Sequence, residues 1–160
     1  MKKVKVSSSF TVYENISELP EIEQKVMQKA INMLDNVYAP YSGFYVGSGV
    51  MTKSGNIYGG CNQENASYPL CICGERVALF NAGANEPKTP ITLLAIVCHN
   101  PKKRIEMPVS PCGACRQVIS EFEKRHNHPF PIILKGDSDL IYRLDSGAEL
   151  LPFSFDSTYL

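Results

Sequence analysis

The sequence predicts an α/β fold: a three-layer α/β/α sandwich built on a mixed five-stranded sheet. Three observations carry that reading. An amphipathic helical pattern near the N-terminus is followed by two strand patterns joined by Ser54-Gly55-Asn56, a hairpin turn. Helix and strand patterns then alternate, which calls for parallel strands connected by crossover helices. Leu93–Cys98 and Pro131–Leu134 are continuous apolar runs, as expected of strands covered on both faces. At 160 residues the chain suits one domain, residues 1–160, with a core large enough to fold without staples.

Taken in order, Val4-Lys5-Val6 and Phe10-Thr11-Val12-Tyr13 are strand-like, so residues 1–15 read as an added edge strand or an interface arm. Ser17 is placed to cap a helix starting near Pro20, whose apolar stripe is Ile22, Val26, Ala30, Ile31 and Leu34. That helix ends before Tyr38-Ala39-Pro40, because a residue preceding proline resists the helical conformation. Phe44–Met51 and Ile57–Cys61 form the hairpin. A second helix covers Glu75–Ala82 and is closed by Gly83. A third begins near Cys112 and runs to about Arg125. Leu140-Ile141-Tyr142 reads as a short edge strand, and Ala148–Leu151 as one helical turn before Pro152.

Formal net charge is zero, which argues against a nucleic-acid polymer or an anionic membrane as partner, since both require a basic excess. The one basic run, Lys102-Lys103-Arg104, reads as a solvated loop. No apolar stretch follows the N-terminal lysines, and the longest apolar run is six residues, so neither a signal peptide nor a membrane span is expected. A cytoplasmic location follows as the expectation. In a reducing compartment, the close pairs among cysteines 61, 71, 73, 98, 112 and 115 point to metal or redox chemistry rather than disulfides.

The chemistry concentrates in Pro111-Cys112-Gly113-Ala114-Cys115-Arg116, at a strand-to-helix junction. Residues three apart share a helix face, so both sulfurs can reach one ion. The helix N-terminus favours their thiolate forms. A second cluster, Cys71-Ile72-Cys73-Gly74-Glu75-Arg76, opens the preceding helix. Four thiolates would close a structural zinc; three protein ligands would leave a position for water. Glu75 separates these readings, because a hydrolytic zinc uses a nearby carboxylate as proton shuttle and a structural one does not. Cys73-Gly74-Glu75 with Pro111-Cys112-Gly113-Ala114-Cys115 fits the three-cysteine form of the zinc deaminase signature.

Here the chain resembles the small homotetrameric cytidine deaminases of pyrimidine salvage. The matching pieces are Tyr38-Ala39-Pro40-Tyr41-Ser42-Gly43-Phe44, Gly60-Cys61-Asn62-Gln63-Glu64-Asn65-Ala66-Ser67-Tyr68, Cys73-Gly74-Glu75-Arg76, Ser110-Pro111-Cys112-Gly113-Ala114-Cys115-Arg116-Gln117 and Leu150-Leu151-Pro152. Together they span roughly residues 20 to 155. The resemblance implies hydrolysis of cytidine and 2′-deoxycytidine to uridine and 2′-deoxyuridine with release of ammonia. It implies one Zn²⁺ per subunit on Cys73, Cys112 and Cys115, with Glu75 moving protons from water to N3 and to the departing amine. Asn62 and Glu64 resemble the pair that binds the ribose hydroxyls. Phe44 resembles the aromatic that packs on the pyrimidine, and Ala66 the residue whose backbone meets the base. Tyr68 and Phe155 match positions that reach a neighbouring subunit's pocket, so a homotetramer with shared active sites is implied. Arg76 and Arg116 are expected to offset the charge of the thiolates by hydrogen-bonding the sulfurs.

Gly74 stands where that family usually carries alanine, and Cys71 where it usually carries threonine, glycine or another small residue. Cys61, Cys71 and Cys98 read as small buried hydrophobes, and His99, His126 and His128 as surface residues. Outside the motif, Phe44 and Tyr68 would read as core packing. A related aminopyrimidine nucleoside such as blasticidin S is the second enzyme reading. A structural zinc module that binds a partner is the non-enzyme reading, and it predicts a dispensable Glu75.

Overall fold

The computed structural model describes residues 1–160. Six strands form one sheet: β1 (Thr11–Tyr13), β2 (Tyr45–Thr52), β3 (Ile57–Cys61), β4 (Ile91–His99), β5 (Ile132–Lys135) and β6 (Ile141–Leu144). Their order is β1-β6-β5-β4-β2-β3. β4 and β5 pair in parallel and every other neighbouring pair is antiparallel, so the sheet is mixed. Three helices cover it: α1 (Glu21–Asn32), α2 (Gly74–Asn85) and α3 (Gly113–His126).

The layers follow from the two-residue period of a strand, which sends alternate side chains to opposite faces. Along β4, Leu93, Ala95 and Val97 meet Val26, Met27 and Ala30 of α1. Leu94, Ile96 and Cys98 meet the other face, where Ala78, Leu79 and Ala82 of α2 pack beside Ile119 and Phe122 of α3. Near-continuous apolar sequence in β4 and β5 is the consequence of burial on both sides.

The connections position the site. β3 and β4 both run antiparallel to β2, so they point the same way, and α2 crosses over β2 to join them. α3 then joins β4 to its parallel neighbour β5. Both crossover helices therefore start at the same end of the sheet, beyond the carboxyl ends of β3 and β4. Open α/β sheets place their ligand sites at such an end.

Several expectations are corrected. The sheet has six strands rather than five, because Thr11–Tyr13 adds to β6 as the outer strand; Val4–Val6 forms no strand. The segment 140–142 is consequently not an edge: β6 runs from Ile141 to Leu144 and is paired on both sides. Ser17 caps nothing. It sits inside a 3₁₀ turn, Ile16–Glu18, capped by Asn15, and Pro20 precedes α1 without a side-chain cap. Gly83 does not close α2, which continues to Asn85; its bare face accommodates the Phe122 ring. The helical turn expected at Ala148–Leu151 is the 3₁₀ segment Gly147–Glu149, and a second 3₁₀ segment, Ser157–Tyr159, lies at the C-terminus. On α1, Ile22 is exposed and Met27 takes a core place instead.

Candidate active site

The two helix starts bring the cysteines together. Cys73 is the N-cap of α2 and Cys112 the N-cap of α3, and neither helix has a side-chain cap. Each cap carbonyl closes its first turn: Cys73 accepts from the Arg76 and Val77 N–H groups, and Cys112 from Arg116 N–H. The unsatisfied first-turn amides and the helix dipoles point toward the sulfurs and favour their anionic form. Cys115, one turn into α3, is fully buried. The Cys73 and Cys112 sulfurs lie 3.8 Å apart, those of Cys112 and Cys115 3.5 Å, and all three sulfurs lie within 4.8 Å of one another.

These separations fit zinc. Tetrahedral thiolates at a Zn–S length of about 2.3 Å sit about 3.8 Å apart. Cys71 stands outside the cluster: its sulfur accepts the Asn65 N–H at 3.2 Å. Three sulfurs are thus grouped where they could hold one ion, and a four-thiolate cluster is not formed. At Cys73, hydrogen bonds from Cys115, Arg76 and Cys112 outweigh burial and bring its pKa down to about 5. The same hydrogen bond to Cys73, together with burial, pushes the Cys115 thiol up.

Glu75 follows Cys73 by two residues in the first turn of α2. It is 4% exposed, and its Oε2 is buried with no hydrogen-bond partner. Burial raises its pKa to about 7, and the Cys73 charge adds to the effect. A carboxylate balanced near neutrality can both take and give a proton. Gly74 sets its position. A Cβ there would stand 2.5 Å from the Val46 carbonyl oxygen, so glycine lets α2 press directly onto β2.

Glu75, Cys73 and Cys112 line a cavity of about 410 Å³ whose other walls include Phe44, Asn62 and Glu64. Asn62 is buried and tied to the start of β2: its Oδ1 accepts Val46 N–H at 2.8 Å and its Nδ2 donates to the Phe44 carbonyl at 2.9 Å. Glu64 Oε2 accepts the Tyr41 and Ser42 N–H groups at 2.8 and 3.2 Å. Hydrogen bonds from Ser42 and Tyr41 hold its pKa below the usual carboxylate value. Ala66 is exposed and lies outside this cavity. Tyr68, 68% exposed, walls an adjoining groove with Tyr41. Phe155, 60% exposed, lies with Tyr159 at a different hollow of about 690 Å³, between α3 and the C-terminal residues.

The two arginines part company. Arg76 Nη2 approaches Cys73 Sγ at 3.9 Å and the Cys71 carbonyl at 3.4 Å. Arg116 makes no sulfur contact: Nε donates to the Pro111 carbonyl at 2.8 Å and Nη1 to the Leu150 carbonyl at 2.9 Å. Its expected role against the thiolate charge is corrected accordingly; it ties the ligand loop to the C-terminal segment. Cys71 is half-buried on the cavity wall, not a core residue, whereas Cys61 and Cys98 are buried as expected. Cys98, Val109 and Ser110 also line the cavity, a role not expected of them from the sequence. The proximity of Ser110 to Cys112 was the one available signal. His99 is bonded to Asp137 rather than free at the surface.

The sequence pattern described as the cytidine and deoxycytidylate deaminase zinc-binding region matches residues 20–127. The chain belongs to this family. Curated cytidine deaminases from Sporosarcina psychrophila and Halalkalibacterium halodurans are each 38% identical over 132 residues. Those alignments cover 82% of this chain and 90% and 92% of the relatives. The crystal structure of cytidine deaminase from Burkholderia pseudomallei superposes with a TM-score of 0.70 at 36% identity, covering 82% of this chain and 97% of that one. The zinc-binding region of the family encloses all three clustered cysteines, so this family member carries one zinc site, on its Cys73–Cys112–Cys115 cluster.

Proposed function

We infer that this deaminase-family protein hydrolyses cytidine and 2′-deoxycytidine to uridine and 2′-deoxyuridine, releasing ammonia, in pyrimidine salvage. The observation that carries the reading is Glu75, a buried carboxylate with one unpartnered oxygen, beside three clustered sulfurs on the wall of a ligand-sized cavity. A structural zinc site has no use for that carboxylate.

Bound zinc supplies a Lewis acid that brings the pKa of adjacent water near neutrality. Glu75 accepts a proton from the attacking water as its oxygen adds to C4 of the pyrimidine. Glu75 delivers that proton to N3, then takes the proton of the new C4 hydroxyl and passes it to the amine; the C4–N bond breaks, the C4 carbonyl forms and ammonia leaves. Phe44 packs on the ring, Asn62 and Glu64 take the ribose hydroxyls, and the Ala66 backbone meets the base. Arg76 offsets the excess thiolate charge. The exposure of Tyr68 and Phe155 supports their service in neighbouring subunits of a homotetramer with shared sites. Residues 1–160 act as one domain.

The walls of the cavity and its adjoining groove carry Glu64 and Glu75 and no lysine, arginine or histidine. A phosphate beside the ribose would find Glu64 and no cation on these walls, which supports a nucleoside over a nucleotide substrate. The neutral chain likewise supports no nucleic-acid polymer or membrane as partner. No helix is long and apolar enough to cross a membrane; a cytoplasmic location is part of the same reading.

The test mixes zinc-loaded protein with cytidine, deoxycytidine and their 5′-monophosphates and follows loss of the cytosine absorbance, with and without a chelator. Chelator-sensitive conversion of the nucleosides alone is expected. Conversion of another aminopyrimidine nucleoside in their place would move the substrate and keep the chemistry.

A further inference from the structure

Residues 100–110 form the loop between β4 and the ligand-bearing start of α3. It ends with Val109 and Ser110 on the cavity wall, followed by Pro111 and Cys112. The hydrogen bonds that tie its middle to the body of the protein converge on one short turn after β5. Asp137 Oδ2 accepts the Ile105 N–H at 2.7 Å, and Asp137 N–H donates to the Ile105 carbonyl at 2.8 Å. Ser138 Oγ donates to the Glu106 carbonyl at 2.6 Å. The other carboxylate oxygen, Oδ1, lies 2.5 Å from His99 Nδ1 at the end of β4. Gly136 completes the knot, since a Cβ there would stand 2.6 Å from the Ile105 oxygen and 2.9 Å from that of Met107.

We propose that Asp137 is a positioning residue for substrate binding: by bridging His99 and Ile105 it fixes the loop that carries the Val109–Ser110 wall. The proposal rests on reading this cavity as the nucleoside site. Charge-assisted hydrogen bonds make Asp137 a stronger clasp than a neutral side chain. Burial works against its ionisation, yet the bonds from His99 and Ile105 prevail and hold its pKa below the ordinary value. The zinc end of the same loop has its own anchor, Arg116 Nε on the Pro111 carbonyl. Loosening the clasp therefore moves the cavity wall while the three sulfurs keep their places. The consequence is a selective one: weaker substrate binding with zinc retained.

The test compares zinc-loaded wild type, Asp137→Ala, Asp137→Asn and His99→Ala. Two readouts are used: steady-state kinetics with cytidine, and the initial rate of tryptic cleavage in Lys102-Lys103-Arg104, all exposed and inside the loop. Asp137→Ala is expected to raise KM about tenfold with kcat within about twofold, part of the loss of its two charge-assisted hydrogen bonds being expressed as binding. Tryptic cleavage rises in parallel and zinc content is unchanged. Asp137→Asn, whose amide oxygen still accepts from Ile105 and whose NH₂ can donate to His99 Nδ1, keeps both contacts without the charge and gives a KM between those of Asp137→Ala and wild type. His99→Ala, which leaves the Ile105 bonds in place, shows a smaller rise in both readouts and serves if Asp137→Ala fails to fold. Asp137→Ala with faster cleavage and unchanged KM overturns the positioning role, and so does a fall in thermal stability with neither readout moved. A wild type that is zinc-loaded yet inert toward cytidine overturns the deaminase reading instead, and the cleavage rates then decide the clasp by themselves.

Discussion

Asn62 spends its amide on the backbone at the start of β2, its Oδ1 accepting Val46 N–H and its Nδ2 donating to the carbonyl of Phe44, just before the strand. A residue proposed to touch ribose thus also sets the strand start that presents Phe44. Asn62→Ala leaves a buried N–H unpaired, which costs about 2 kcal/mol of stability. Urea denaturation measures that loss, and KM for cytidine rises with it. Asn62→Asp keeps the acceptor and recovers part of the stability; equal losses in both variants would place the effect in the donor alone.

The ligand set is tested by single sulfur replacements. Cys73→Ser and Cys115→Ser lose zinc during dialysis, whereas Cys71→Ser keeps about one zinc per chain, as three-cysteine coordination requires. Metal analysis of the dialysed proteins decides it. Retention by Cys73→Ser coupled with loss by Cys71→Ser would reverse the assignment.

Glu75→Gln is expected to stay folded and zinc-loaded while kcat falls by about three orders of magnitude, within the range for a positioned proton carrier. Turnover of a metal-quantified sample checks this. Activity within a few-fold of wild type would remove Glu75 from the chemistry.

The same substitution has an opposite effect on stability once zinc is removed. Burial raises the Glu75 pKa from 4.5 unfolded to about 7 folded. Folding then takes up a proton between those values, so the contribution of the protonated group is complete below pH 4.5 and is lost as pH rises through 7. Above that window the buried charge costs about 3 kcal/mol. Metal-free Glu75→Gln is therefore expected to match wild type near pH 4 and exceed its stability at pH 8, as read from denaturant midpoints across that range.

Ser48 lies in the centre of β2, wholly buried, and its hydroxyl has no partner. Replacing it with alanine removes an uncompensated polar group, so Ser48→Ala is expected to be as stable as wild type or more stable by about 1 kcal/mol. A clear loss of stability would reveal a hydrogen bond that the packing of β2 against α2 otherwise conceals.

Much of this protein was legible in its sequence because the determining signals are local. The two-residue period and the unbroken apolar runs predict β2 to β5, and burial of β4 on both faces follows from them. Cysteine spacing places two sulfurs on one helix turn, and a glutamate two residues beyond a third cysteine announces hydrolytic chemistry. Errors arose where a residue's meaning depends on something distant in sequence. Gly83 resembles a helix stop, but Phe122 packs against it and α2 continues. Residues 140–142 resemble an edge strand until β1 pairs with them from the far end of the chain. Arg116 adjoins a ligand, yet its guanidinium turns to carbonyls at Pro111 and Leu150.

The sequence by itself determined the layer architecture and the grouping of three cysteines, and it singled out Glu75 as the proposed proton carrier, since these rest on periodicity and on spacing within single turns. Only the tertiary structure decided that Cys71 stays out of the cluster, that Asn62 and Glu64 are held by β2 and its preceding loop, and that Asp137 closes on the 100–110 loop. Each of those outcomes joins groups on different elements, and their distances are fixed only when the crossover helices dock on the sheet.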